Sequence, residues 1–347
     1  MASKRGTYLK AALAVALVAV LIGISVARRG GGRDGYFRMT ASHVMGTEVS
    51  ITVAAPNREK AEKAAGMAYD RMAEVERLMT IFREDSEVSV ANRKAASEPV
   101  ALSPMTYECV ERALHFGEVT GGAFDITVRP LIALWRAAAE ADKLPSEEEI
   151  AEALARTAYG KVRVDAATQT VRFSEEGVSI DLGGIAKGYA VDRAYEAIAE
   201  AGHPNALVDI GGDLYAGGLR DGRPWRVGIQ DPRTGPHDPP KTVLVIEVSD
   251  RAVATSGNYR RFGVIEGQPV SHIKDPRTGQ PVEAVPSVTI VAPDCVTADA
   301  LATGVSVMGL DEGLELVNAL PGVEALLITI EDGELVFHRS SGFAAYE

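Results

Sequence analysis

The stretch Asp181-Leu-Gly-Gly-Ile-Ala-Lys-Gly-Tyr-Ala-Val-Asp192 constrains this chain more than any other. A short β-like run, Val178-Ser179-Ile180, leads into it, and the residues from Ala186 to Ala201 carry apolar positions at Ala190, Ala194, Ile198 and Ala201, a helical spacing. An acid, two glycines and a lysine therefore stand at a strand-to-helix junction. Glycines there let the backbone approach a ligand closely, and the open N–H groups of a helix N-terminus favour an anion. A lysine one turn further adds a point charge suited to phosphate. A plain helix start, with Asp181 near the cap and Lys187 in solvent, fits the same letters. The pattern is neither G-x-G-x-x-G nor G-x-x-x-x-G-K-[ST], so the standard dinucleotide and nucleoside-triphosphate loops are not indicated.

A chain of 347 residues suffices for one large domain or two interlocked ones. Its net charge of −12, with no basic stripe to offset it, argues against a general nucleic-acid binder. The two cysteines, Cys109 and Cys295, are too few for a disulfide scaffold and form no C-x-x-C. The six histidines, His43, His115, His203, His237, His272 and His338, are scattered without an H-x-x-x-H pair, which speaks against zinc.

At the N-terminus, Lys4, Arg5 and Lys10 precede an uncharged apolar run from Ala11 to Ala27, and Arg28 and Arg29 stop it. The run lies between a long signal h-region and a short membrane span. No cysteine follows it, which excludes a lipoprotein anchor. The expectation is an uncleaved signal-anchor in a bacterial inner membrane with the body on the periplasmic side, and cleavage near Ala27 is the alternative. This divides the chain into an anchor over 1–30, a linker over 31–40 and a body over 41–340.

Within the body, Val49-Ser-Ile-Thr-Val53 alternates as a strand, and Arg58 to Thr80 has helical spacing. A polar turn from Phe82 leads into a short helix. Ser103 reads as an N-cap with Pro104 at the first helical position, and Ser146-Glu-Glu-Glu149 as a capping box. Val162–Val164 with Val171–Phe173 reads as a small hairpin, and Ala206-Leu-Val-Asp-Ile210 as a buried strand. Strands are expected near Trp225, over 243–248 and over 288–291, a helix over Thr297–Met308, and a last hairpin around Asp332-Gly333. Asp-Pro-Arg-Thr-Gly occurs twice, at 231–235 and 275–279, and reads as two similar turns.

Asp299 and Thr303, four apart, share one face of the last long helix, and a carboxylate with a hydroxyl there suits Mg²⁺. Asp299 in a first turn also complements the helix dipole with no ligand at all. His272 precedes the second repeat turn, where an imidazole could take a proton from a hydroxyl or merely cap the turn. Asp213, after Gly211-Gly212, is either catalytic or a turn former.

Together, Gly122-Ala-Phe-Asp-Ile-Thr127, Asp181 to Asp192, Asp209-Ile-Gly-Gly-Asp213, Thr255-Ser-Gly-Asn-Tyr259, His272-Ile-Lys-Asp-Pro-Arg-Thr-Gly279 and Ala298-Asp-Ala-Leu-Ala-Thr303 occur in order. This series resembles the ApbE family of FAD:protein FMN transferases. The resemblance implies an α+β fold of two interlocked subdomains with a flavin-nucleotide cleft between them. It implies Mg²⁺-dependent transfer of FMN from FAD, the substrate, to a Thr or Ser hydroxyl of an acceptor flavoprotein, such as a redox-pump or reductase subunit, with release of AMP. By the same resemblance Met45, Phe82, Ala123, Phe124, Asp125, Asp181, Lys187 and His272 contact FAD. Gly184 (through its carbonyl), Asp299 and Thr303 hold Mg²⁺, and His272 is the base toward the acceptor. Phe82 stands where the family often has tyrosine, so stacking survives and a hydroxyl contact is lost. FAD hydrolysis and non-catalytic flavin binding are the alternative readings.

Overall fold

The computed structural model describes residues 26–27, 35–235, 238–239, 241–257, 262–271, 273–282 and 285–347. Its centre is a nine-stranded antiparallel sheet built from both ends of the chain. Across the sheet run β1 (Val26–Ala27), β2 (Gly35–Val44), β3 (Thr47–Ala55), β7 (Ala206–Ile210), β8 (Asp213–Gly217), β11 (Arg251–Gly257), β14 (Ser287–Ala292), β15 (Glu324–Glu331) and β16 (Glu334–Arg339). Three smaller sheets accompany it: β4 (Val100–Ala101) with β6 (Thr170–Phe173) and β5 (Val162–Asp165), β9 (Trp225–Gln230) with β10 (Thr242–Val248), and β12 (Phe262–Ile265) with β13 (Gln268–Ser271).

Side chains alternate across the pleat, so each face has its own core. One face of the large sheet receives α1 (Arg58–Met79), α6 (Ala186–Glu200) and α7 (Cys295–Met308). Between α1 and α7 the chain makes its helical excursion through α2 (Glu87–Lys94), α3 (Pro104–Val119), α4 (Arg129–Ala141) and α5 (Glu147–Leu154), and α8 (Leu310–Ala319) follows α7. Ala61, Ala64, Ala65 and Ala68 of α1 are buried, which lets this helix lie close against its neighbours. Met72 and Val75 fill the rest of that stripe, each contributing about 2 kcal/mol by leaving water. The opposite face carries a second core of Leu214, Trp225, Ile229, Ile246, Val253 and Phe343, where the β9–β10 hairpin lies over the sheet.

Local signals set several boundaries. Ser103 Oγ accepts from Thr106 N–H with Pro104 in the first turn of α3, and Ser146 and Glu149 exchange both bonds of a capping box at α5. Met45 and Gly46, at φ +50° and +75°, form the two-residue turn between β2 and β3 that the strand twist requires. Asp231 and Asp275 each accept their own Arg i+2 backbone N–H and clamp that arginine's guanidinium, so the repeated pentapeptide builds the same turn twice.

The structure departs from the sequence reading in four places. Residues 35–40, read as linker, are the first half of β2, paired along β3. The ordered body also continues past 340, because Phe343 is fully buried in the second core. Val178–Ile180 is not a strand: its backbone is held by a side-chain amide instead of a neighbouring strand. Helices α4 and α8 carry no side-chain cap and were not expected, although Pro130 stands in the first turn of one and Asp311 and Glu312 in that of the other. Most of the apolar run over 11–27 lies outside the described residues; its last two, Val26 and Ala27, pair with Phe37 and Tyr36. Among the described residues no helix is long and apolar enough to cross a membrane.

Candidate functional site

Helices α6 and α7 run antiparallel and cap one another. Helix α6 begins at Ala186 with no side-chain cap of its own. Asp299 of α7 reaches across instead, and its Oδ2 accepts from Gly188 N–H at 2.9 Å. In return Asp192 of α6 accepts from Cys295 N–H and Val296 N–H of α7, at 2.8 and 2.9 Å. Burial pushes the Asp192 carboxyl up to about 7, against the pull of those two donors. This closeness depends on Gly188. A β-carbon there would lie 2.2 Å from the Cys295 carbonyl oxygen and 2.8 Å from Asp299 Cβ. That glycine serves helix packing.

The lysine of the motif is not in open solvent. Lys187 Nζ pairs with Asp213 Oδ2 and lies 3.4 Å from Asp299 Oδ1, with both carboxylates buried. Burial alone would lower the Lys187 pKa, but the two carboxylates outweigh it and hold the ammonium protonated. Burial pushes Asp213 upward and Asp299 pushes it the same way, while Lys187 opposes both. Asp213 follows the Gly211-Gly212 turn between β7 and β8, whose φ values of +64° and +99° need glycine. The Met45-Gly46 hairpin tip abuts that turn: a β-carbon on Gly211 would lie 2.6 Å from Thr47 Oγ1. Half-buried Met45 thus stands at the same end of the sheet as Asp213.

Thr303 sits one turn beyond Asp299 on the same face of α7. A β-carbon built on Gly184 would meet Phe124 Cε2 at 3.2 Å and Thr303 Oγ1 at 3.5 Å, so the glycine keeps a small space open there. Among the described residues, no three histidine, cysteine, aspartate or glutamate side chains gather as a metal cage. Asp299 and Thr303 bring a carboxylate, already bonded to Gly188 N–H, and a hydroxyl to this side of α7, and hard oxygens of that kind suit Mg²⁺ completed by water or phosphate oxygens.

The remaining predicted residues form the frame. Asp181 Oδ1 accepts from Gly183 N–H, shaping the glycine turn. Ala123, Phe124 and Asp125 are buried beneath it. Asp125 accepts from Thr127 N–H, Thr127 Oγ1 and Tyr159 N–H, which commits both its oxygens to the loop. Burial raises its pKa in spite of those donors. Ile126 carbonyl then accepts from Asp181 N–H at 2.7 Å and ties this loop to the motif. Phe82 is 84% exposed and flanks a cavity of about 200 Å³ with Ser89, Asn92 and Arg129. His272 lies outside the described residues.

Two contributors escaped sequence reasoning, and Asp213, left open between catalysis and turn formation, is the ion partner of Lys187. Asp192 acts as described. Asn92 of α2 donates to Ile180 carbonyl at 2.9 Å and accepts from Ile180 N–H at 2.7 Å, fixing the approach to Asp181. Replacing Asn92 with alanine leaves both Ile180 groups unpaired, at a cost of about 2 kcal/mol. The thermal midpoint falls by roughly 3 °C. Asn92→Asp retains the acceptor and loses the donor, and falls between the two. Equal midpoints for all three proteins would remove Asn92 from the frame.

A charged lysine, two buried carboxylates and a helix start meet at one end of an antiparallel sheet, a setting that suits a phosphorylated ligand in an α+β protein. The ApbE family pattern matches residues 45–327. The chain belongs to that family. It is 36% identical over 302 residues to the FAD:protein FMN transferase of Vibrio cholerae, covering 86% of this chain and 89% of the relative. The FAD:protein FMN transferase of Treponema pallidum is 36% identical over 331 residues, covering 90% and 89%. The solved flavin transferase ApbE of Vibrio cholerae superposes with a TM-score of 0.77 at 32% identity, over 90% of this chain and all of that one (100%). The ApbE protein of Thermotoga maritima gives 0.78 at 35% identity, over 90% and 99%.

Proposed function

We propose that this chain is an FAD:protein FMN transferase that moves the FMN portion of FAD onto a Thr or Ser hydroxyl of an acceptor flavoprotein. The observation that carries the reading is Lys187, held charged between Asp213 and Asp299 beside the Gly184–Thr303 cradle, in a chain of the ApbE family.

Breaking a phosphoanhydride needs placed charge more than a protein nucleophile. Lys187 presents its ammonium to the pyrophosphate from the first turn of α6. Asp299, Thr303 and the Gly184 carbonyl would hold Mg²⁺. When bound, the ion supplies charge neutralisation on the pyrophosphate. The acceptor oxygen bonds to the FMN-side phosphorus as the bridging P–O bond breaks, and AMP leaves with the electron pair. The hydroxyl proton goes to His272, the base assigned by family resemblance. Met45 and exposed Phe82 provide apolar flanks for the flavin, above the frame of Ala123, Phe124, Asp125 and Asp181. The cleft between subdomains receives FAD. The basic and apolar N-terminus anchors the chain at the inner membrane, with the body on the periplasmic side.

The test uses the chain from residue 35 with FAD, Mg²⁺ and a flavoprotein subunit carrying an exposed Thr or Ser acceptor. Intact mass of the subunit rises by one FMN while AMP appears. Free FMN with AMP and an unmodified subunit would make the protein a hydrolase, and FAD that stays whole would make it a binding protein. Chelation with EDTA stops adduct formation, and added Mg²⁺ restores it; transfer at full rate in EDTA would remove the metal from the reading.

A further inference from the structure

On the sheet face away from the helices, a cleft of about 500 Å³ lies between the uncovered parts of β2, β3 and β7 and the strand β9. Its floor carries Arg38, Ser50, Thr52 and Asp209, and the register sets Arg38 opposite Thr52 and Ser50 opposite Asp209. Ser50 is 7% exposed and Thr52 9%, so the floor is narrow, with small hydroxyl side chains lining it. Such hydroxyls can bond to polar groups of a ligand laid along the cleft. The wall is backbone. β9 pairs with β10 on one side, and among the described residues no strand pairs with its other side, which faces the cleft.

Two more features select the occupant. The molecule carries a net charge of −12, yet this cleft gathers Arg38, Arg220 and Arg226 around the single carboxylate of Asp209. Arg220 lies over the rings of Tyr36 and Trp225, at 5.4 and 5.7 Å, and closes the far end. The near end is Gly211-Gly212, and the next residue is Asp213, the partner of Lys187. The cleft therefore reaches the same edge of the sheet as Asp213, whose side chain turns to the helix face there.

We infer that this cleft receives an extended segment of the acceptor protein, added to β9 as a new strand. Its small polar side chains turn down onto Ser50, Thr52 and Asp209, and its carboxylates meet Arg38 and Arg226. An open strand edge supplies main-chain hydrogen bonds that tolerate varied sequence, while alternate side chains read the floor. The inference rests on the transfer reading above, since only a transferase that modifies proteins must feed a chain segment toward that end of the sheet.

The test is the double charge reversal Arg38→Glu with Arg226→Glu, at two exposed positions outside the site. The probes are a flavoprotein subunit that the unmodified protein flavinylates and a synthetic peptide of about a dozen residues copied from its flavinylated segment. The variant shows a KM for the subunit raised about tenfold or more, with kcat and FAD affinity unchanged. The peptide competes with the subunit on the unmodified protein and loses that effect on the variant. An unchanged KM, or peptide competition that survives in the variant, overturns the docking site and leaves the transfer reading standing. Failure of the unmodified protein to flavinylate any subunit removes the transfer reading, and the docking site with it.

Discussion

Alanine at position 188 lowers the thermal midpoint by roughly 4–5 °C, the shift expected for a loss of about 3 kcal/mol in a chain of this size. The cause is contact between two backbones. The added methyl would stand 2.2 Å from the Cys295 carbonyl oxygen and 2.7 Å from its carbon, atoms fixed within a helix that cannot swing aside as a long side chain does. Helices α6 and α7 must separate, which stretches the Gly188 N–H to Asp299 bond and the two bonds to Asp192 together. Gly66, inside α1, supplies the contrast, because a β-carbon there meets nothing within 4 Å. Gly66→Ala stabilises by up to about 1 kcal/mol through helix propensity alone. Calorimetry on both variants checks the pair, and a Gly188→Ala midpoint within two degrees of the unmodified protein would show that the helices tolerate the methyl.

Asp299→Asn reduces FMN transfer by about a thousandfold while the fold persists. An asparagine oxygen can still accept from Gly188 N–H, so the cap survives. Lys187 retains Asp213 and stays charged. What disappears is the one carboxylate of the oxygen set with Thr303 and the Gly184 carbonyl. Titration calorimetry with Mg²⁺ and no FAD reads this loss separately from turnover: the unmodified protein binds the ion and the variant does not. Magnesium binding of equal strength in both proteins would place the ion elsewhere and reassign Asp299 to holding the two helices together.

What could be read ahead of the structure follows the range of each interaction. Ser103-Pro104 and Ser146–Glu149 announce their helices because capping is settled within four residues. The pairs Asn92–Ile180 and Asp192–Cys295 join residues 88 and 103 apart, and nothing local marks either partner. Asp213 stood open between catalysis and turn formation because its partner, Lys187, lies 26 residues upstream on another element. Helix α8 follows Gly309 at φ +86° with no side-chain cap, and α4 emerges from a glycine-rich loop, so Pro130 in one first turn and Asp311 and Glu312 in the other went unread. The fold class, most of the main strands and the strand-to-helix motif around Lys187 were legible. Their arrangement was not: the lysine sits in an ion cluster, and the third motif glycine packs helix on helix.

The mutual capping of α6 and α7 has a consequence for how the molecule opens. Amides of Gly188, Cys295 and Val296 are held by side chains of the opposite helix, so none can reach solvent by fraying its own helix end. Their exchange with deuterium then follows a single shared opening, with one free energy and one denaturant dependence. Lys187 and Asp299 belong to that same cooperative unit, and their geometry persists for as long as the pair stays closed.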